Sequence, residues 1–224
     1  FINSLLILDD AEGNMMMAGF YNKDLVKSGG FFSKGEYNGF DKYSNCDGMI
    51  YGKLLADGTV SPLKTIEIPT ELLNQNESKK AIRKNEKKEE DGVKPKFTDL
   101  RFRKFDIQKD GSEILVAEQY YVKSHTTAGG PNSPSRTYYT YHYNDILISR
   151  ILPNGNLGWV RKIPKSQFGK SGRGTMGFDY FRNDSDNFLI FFDHPENATI
   201  DDTTVPKTYK DRSAGDLAVV RIDD

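Results

Sequence analysis

Cys46 is the only cysteine in the 224-residue chain. An internal disulfide and a thiolate metal site are thereby excluded, so the fold must hold by burial alone. Long apolar runs are also lacking. The longest, SLLIL and FLIFF, fall far short of the roughly 20 residues a helix needs to cross a bilayer, and no membrane span is expected. Neither charge sign dominates: 31 basic and 32 acidic residues leave a net charge of −1. Such a balance gives no pull toward nucleic acid, which is not expected as a partner. The chain opens on Phe1, and FINSLLILDD reads as the middle of a longer protein, so the missing leader excludes nothing.

What is abundant points to a turn-rich β protein. Aromatics make up 12% of the chain, nearly all Phe and Tyr, which favour strands. Gly, Asn, Asp and Ser punctuate the sequence as turn formers do. The punctuation also repeats. NCDGMIYGKLLADGTVSPLKTIEIP (45–69) parallels YHYNDILISRILPNGNLGWVRKIPK (141–165), with Gly58 and Gly155 heading matching turns. Upstream, LLILDDAEGNMMMAGFY (5–21) parallels RFRKFDIQKDGSEILVAEQYY (101–121), and a third copy follows at 176–193 and 215–224.

Each full unit reads as four strands joined by hairpins at AEGN, ADG, KDGS and PNG. The strands are expected at 4–9, 14–21, 48–56 and 60–68, then at 101–107, 113–122, 145–152 and 157–163. Four antiparallel strands per repeat is the blade of a β-propeller. The fold class expected is all-β: a propeller or partial propeller in one domain, 1–224, with units at 4–69, 100–164 and 176–224. A β-sandwich or a stacked β-repeat are the alternatives. Three units do not close a ring, so the chain reads as an excerpt, its third unit lacking a fourth strand.

The phrases LVAEQYYV, YNDILISRILPNG, WVRKIPK and FFDHPEN resemble those of a family of uncharacterised bacterial propeller-like proteins. The resemblance covers most of 100–224 and, more loosely, 5–69. It implies a propeller fold and an extracytoplasmic setting, and it implies no reaction.

Chain direction alternates in an antiparallel blade. The short turns therefore share one end, and the strand 2–3 loops share the other with the connections between blades. The 2–3 loops, at 22–46, 123–143 and 193–215, each exceed twenty residues, a length usually reserved for function or disorder. The connection at 69–96 is charged and helix-prone, with Thr70 as its expected cap and Leu72 and Leu73 as apolar anchors. It reads as a solvated helix or disordered insert, or else as a docking element.

Candidate binding residues gather on that end. TYYTYHYND (137–145) carries Tyr138, Tyr139, Tyr141, His142 and Tyr143. If the stretch is extended, Tyr139, Tyr141 and Tyr143 share one face and His142 takes the other. Such an aromatic face stacks on sugar rings or anchors a protein, although tyrosines also merely cover strands. Phe31, Phe32 and Tyr37 add aromatics from the first loop. FFDHPEN places Asp193 beside His194, a pair suited to acid–base work or simply a polar turn. His125, His142 and His194 lack metal-ligand spacing, and no metal or cofactor is expected. NDSDN (183–187) lacks the features of a calcium loop and reads as a hairpin turn. GKSGRGTMG (169–177) lacks P-loop spacing and reads as a flexible connection.

These features point to a non-catalytic binding or scaffold module that presents its long-loop face to a protein or glycan partner. Two alternatives stay open. One is a glycan-processing enzyme using carboxylates of the first loop (Glu36, Asp41, Asp47) and third loop (Asp193, Glu196, Asp201, Asp202, Asp211). The other is a structural subunit of a bacterial envelope assembly.

Overall fold

The computed structural model describes residues 2–10, 13–23, 45–130, 134–183 and 186–223. The chain is mostly β, in three sheets that follow its order and are antiparallel but for one short edge pair. The first is a meander of β1 (Ile2–Asp9), β2 (Met15–Tyr21), β3 (Gly48–Leu54) and β4 (Lys64–Glu67). The second is a meander of β5 (Leu100–Ile107), β6 (Glu113–Thr127), β7 (Arg136–Ile151) and β8 (Leu157–Ile163). To it are added β9 (Gln167–Gly169) and β12 (Tyr209–Lys210). The third sheet holds three strands, β10 (Asp179–Arg182), β11 (Asn187–Asp193) and β13 (Asp216–Ile222).

Four hairpin turns share one hydrogen-bond pattern. Asp10, Leu55, Gln108 and Leu152 each donate a backbone N–H to the carbonyl four residues on. Each also accepts, at its own carbonyl, the N–H of the glycine three residues on. Those glycines, 13, 58, 111 and 155, have φ between +75° and +84°, the left-handed region that closes a three-residue hairpin loop and that a Cβ would strain. Side chains lock all four turns: Asp57, Asp110 and Asn154 accept the N–H of Thr59, Ser112 and Asn156 at 2.8–2.9 Å, and Asp10 Oδ1 accepts that of Asn14 at 2.8 Å.

The sheets stack in chain order with the second in the middle. One of its faces, through Leu115, Ala117, Leu147 and Ile151, packs on Met16, Ala18, Phe20 and Met49 of the first sheet. Its other face, through Ile114, Val116, Ile146 and Ile148, packs on Leu189, Phe191 and Ile222 of the third. Strand alternation makes this possible, since successive residues of β6 and β7 point to opposite layers. The middle strands are therefore apolar on both faces. The outer sheets are buried on one face only, and their far faces carry exposed Leu5, Ile7 and Met15 on one side and Phe192, Leu217 and Val219 on the other. No closed ring forms among the described residues.

Three sequence expectations are corrected. The second long loop is largely strand, because β6 and β7 continue as a paired hairpin from Lys123↔Thr140 to Thr127↔Arg136. The connection takes the helical form of its expected readings, as α1 (Thr70–Asn74) and α2 (Lys79–Glu90), and what is corrected there is the cap. Thr70 is the first residue of α1 and caps nothing; the side-chain cap is Ser78, which accepts from Ala81 N–H at the start of α2. Leu72 and Leu73 do pack on the core. The Gly-rich segment 169–177 is pinned rather than flexible. Thr175 donates its N–H and hydroxyl to Asp211 Oδ1, and Gly177 N–H donates to Gln167 Oε1 at 2.6 Å.

Candidate functional site: a braced hairpin arm beside a cationic cleft

The connection and the third long loop meet at one end of the stack. Asn76 donates to the carbonyls of Asp201 and Thr204 and, through its backbone, to Asp202. Lys162 Nζ, buried in β8, donates to Gln75 O at 2.7 Å and pairs with Asp145 at 2.9 Å. From this end the β6–β7 hairpin runs on as an arm. β9 pairs with β7 through Tyr141–Tyr143, and β12 from the third loop adds itself to β9.

A bulge opposite Gln119 shifts the register between Ile146 and Tyr143, and beyond it the arm has two distinct faces. Tyr139, Tyr141 and Tyr143 stand opposite Ser124, Val122 and Tyr120, as strand alternation requires. Tyr138 lies on the other face with His142. There His142 stacks on Tyr121 (4.5 Å) and meets the edge of Phe168 (5.4 Å), while His125 stacks on Tyr138 (4.8 Å). Both imidazoles reach the buried Thr140 hydroxyl through Nε2, at 3.0 and 3.2 Å. Burial first, then the charges of Lys123 and His125, lower the pKa of His142, which holds its ring neutral. Tyr138 and Tyr139 are about half exposed and offer flat rings to solvent.

The third histidine lies elsewhere. His194 Nδ1 accepts the N–H of Glu196, and Asp193 Oδ1 accepts from His194 N–H and Asn197 Nδ2, so the pair caps a turn and Asp193 does not orient the imidazole. Burial raises the pKa of Asp193. Other third-loop carboxylates are likewise engaged: Glu196 with Lys207, Asp201 with Thr203 and Thr204, Asp211 with Thr175. Among the described residues no three His, Cys, Asp or Glu side chains group as metal ligands. Phe31, Phe32, Tyr37, Glu36 and Asp41 lie outside the described residues. Asp47 pairs with Lys96.

Sequence reasoning missed the groups at the base of the arm. Lys165 is fully enclosed, and its three N–H bonds go to Glu118 Oε1 (2.8 Å), the Tyr143 carbonyl (3.0 Å) and Gln167 Oε1 (3.2 Å). Burial lowers its pKa, against the pull of Glu118. The other oxygen of Glu118 is held by Arg103 through Nε (2.9 Å) and Nη2 (2.8 Å). The Arg103 guanidinium also lies over the rings of Tyr120 and Tyr143, 5.3 and 6.0 Å from their centroids. Burial and the neighbouring Tyr120 push the Tyr143 hydroxyl up to about 12. A charged Glu within the apolar run LVAEQYY was the one legible signal, since a buried carboxylate demands a partner.

These groups border a cleft of 340 Å³ between the second and third sheets, lined by Arg103, Lys104, Glu118, Tyr143, Arg173 and Tyr180, among others. No protein-family model, curated protein or solved structure matches the chain. No helix among the described residues is long and apolar enough to cross a membrane.

Proposed function

We propose that the chain is an arc of a β-propeller serving as a non-catalytic binding module, with the β6–β7 arm and its surroundings as the contact surface for a glycan partner. Four-strand meanders in series, identical hairpin turns and an apolar face left open on each outer sheet all favour the propeller, because those faces fit further sheets of the same kind. The extracytoplasmic setting implied by the sequence resemblance suits a glycan ligand.

The observation that carries the binding reading is the bracing of the arm. A two-stranded hairpin is marginal by itself, yet this one is paired at its base by β9, which β12 extends, and carries aromatic ring contacts on both faces. Rigid Tyr rings bind at low entropic cost. Asp193, Glu196, Asp201 and Asp211 of the third loop are each engaged with neighbouring groups, which favours binding over hydrolysis.

The test is a glycan array probed with the full-length protein and with its Tyr138→Ala and Tyr139→Ala variants, run beside a pull-down. Glycan signals lost in both variants support the reading. Signals unchanged in both, or a protein capture indifferent to the arm, overturn it.

A further inference from the structure

The arm stands beside a feature that neither strand pattern nor repeat requires. Between Phe102 and Lys104 the β5–β6 register slips: Phe102 pairs with Ala117 and Lys104 with Val116, leaving Arg103 as an extra residue. In an unbroken strand, neighbouring side chains point to opposite faces. At this bulge two successive residues, Arg103 and Lys104, line the same cleft. Bulges recur where a protein re-aims a side chain.

The cleft is positive by construction. Arg103, Lys104 and Arg173 line it and Lys165 lies beneath, against the carboxylates of Glu118 and Asp179. Both oxygens of Glu118 are already committed, one to Lys165 and one to Arg103. Asp179 meets Arg173 at 3.3 Å as a largely exposed pair. Lys104 has no carboxylate partner among the described residues, and its ammonium lies 5.9 Å from the centre of the Tyr180 ring. Arg103 is held by a fork to Glu118 and by two tyrosine rings, so its orientation is set before any ligand arrives. Tyr143, Phe178 and Tyr180 supply flat apolar walls.

We propose that this cleft is a binding subsite for the carboxylate of an acidic sugar of the uronic-acid kind. Lys104 and Arg173 take the carboxylate, and the aromatic walls cover the ring. The inference rests on the glycan-binding reading and deepens it. The volume suits one sugar ring, and the unmatched positive charge distinguishes an acidic ligand from a neutral one.

The test uses the whole chain with D-glucuronate, D-glucose and inorganic phosphate as probes, followed by amide chemical shifts and titration calorimetry. Glucuronate is expected to move the amides of Lys104, Thr175 and Gly177, and glucose is not. Affinity falls with added salt. Lys104→Met and Arg173→Gln, both on exposed side chains, are each expected to weaken glucuronate binding about tenfold, the effect of losing one charge-assisted hydrogen bond. Equal response to glucose and glucuronate overturns the proposal. So does response to phosphate alone, or glucuronate affinity indifferent to both variants. Tyr139→Ala is titrated alongside. If the array signal depends on the arm while the cleft gives no response, the cleft assignment fails and the binding-module reading stands.

Discussion

Lys165 Nζ lies 2.8 Å from Glu118 Oε1, and neither side chain reaches solvent. The pair joins the segment after β8 to the centre of β6, where the arm begins. Removing Lys165 leaves the buried Glu118 carboxylate with Arg103 as its one cationic partner among the described residues and its Oε1 without the Lys165 donor. Lys165→Met is therefore expected to destabilise the chain by about 3–5 kcal/mol. Combining Lys165→Met with Glu118→Gln removes the half-paired buried carboxylate, though it also takes the ionic partner from the partly exposed Arg103, and is expected to recover part of that loss. Urea unfolding midpoints check both. A double variant as unstable as the single one would place the cost in packing instead.

Glu113 supplies a pH dependence. Its carboxyl is buried, accepts one bond from Tyr51 OH at 2.8 Å, and its second oxygen has no hydrogen-bond partner among the described residues. Burial pushes its pKa from 4.5 up to about 7. The folded state thus holds a proton that the unfolded chain releases between those values. Stability is expected to fall as pH rises from about 4.5 to about 7, by at most about 3 kcal/mol, and to change little from this cause above that range. Thermal unfolding across pH 4–8 tests this, and Glu113→Gln is expected to flatten the profile.

His142 works in the opposite sense. Its folded pKa lies below the ordinary 6.5, so below that value the unfolded chain binds the proton more readily. The contribution of the neutral ring is present above pH 6.5 and is lost on acidification. Arm amides such as Lys123 and Tyr141 are expected to exchange faster as pH falls below 6.5, after correction for intrinsic exchange. His142→Phe keeps the stack on Tyr121 and is expected to remove that pH dependence.

The open outer faces make a further prediction. Leu217 and Val219 are more than half exposed on β13, whose outer edge pairs with no other strand among the described residues. Such a face promotes association. The isolated chain is expected to elute larger than a monomer in size-exclusion chromatography. Leu217→Lys with Val219→Lys is expected to shift it toward monomer.

Some of this was legible one segment at a time. Gly58 and Gly155 announced their turns because only a residue free of Cβ takes the left-handed conformation there at no cost. Alternation in TYYTYHYND placed Tyr139 and His142 on opposite faces once the stretch proved extended. The extent of the arm was not legible. Residues 123–127 and 136–143 are polar and aromatic enough to serve as loop or strand, and their pairing with each other and, at 141–143, with β9 settled the matter. Phe31, Phe32 and Tyr37 remain sequence candidates outside the described residues.

The sequence by itself determined the hairpins and their turns, because those depend on backbone freedom and on polarity alternating within a few residues. Tertiary structure alone decided that Arg103 and Lys104 line one cleft, that Lys165 lies under Glu118, and that Asp193 caps a turn rather than orienting His194. Those outcomes depend on where a strand slips by one residue against its neighbour and on which charges are shut away from water together. Neither is a property of any single stretch of chain.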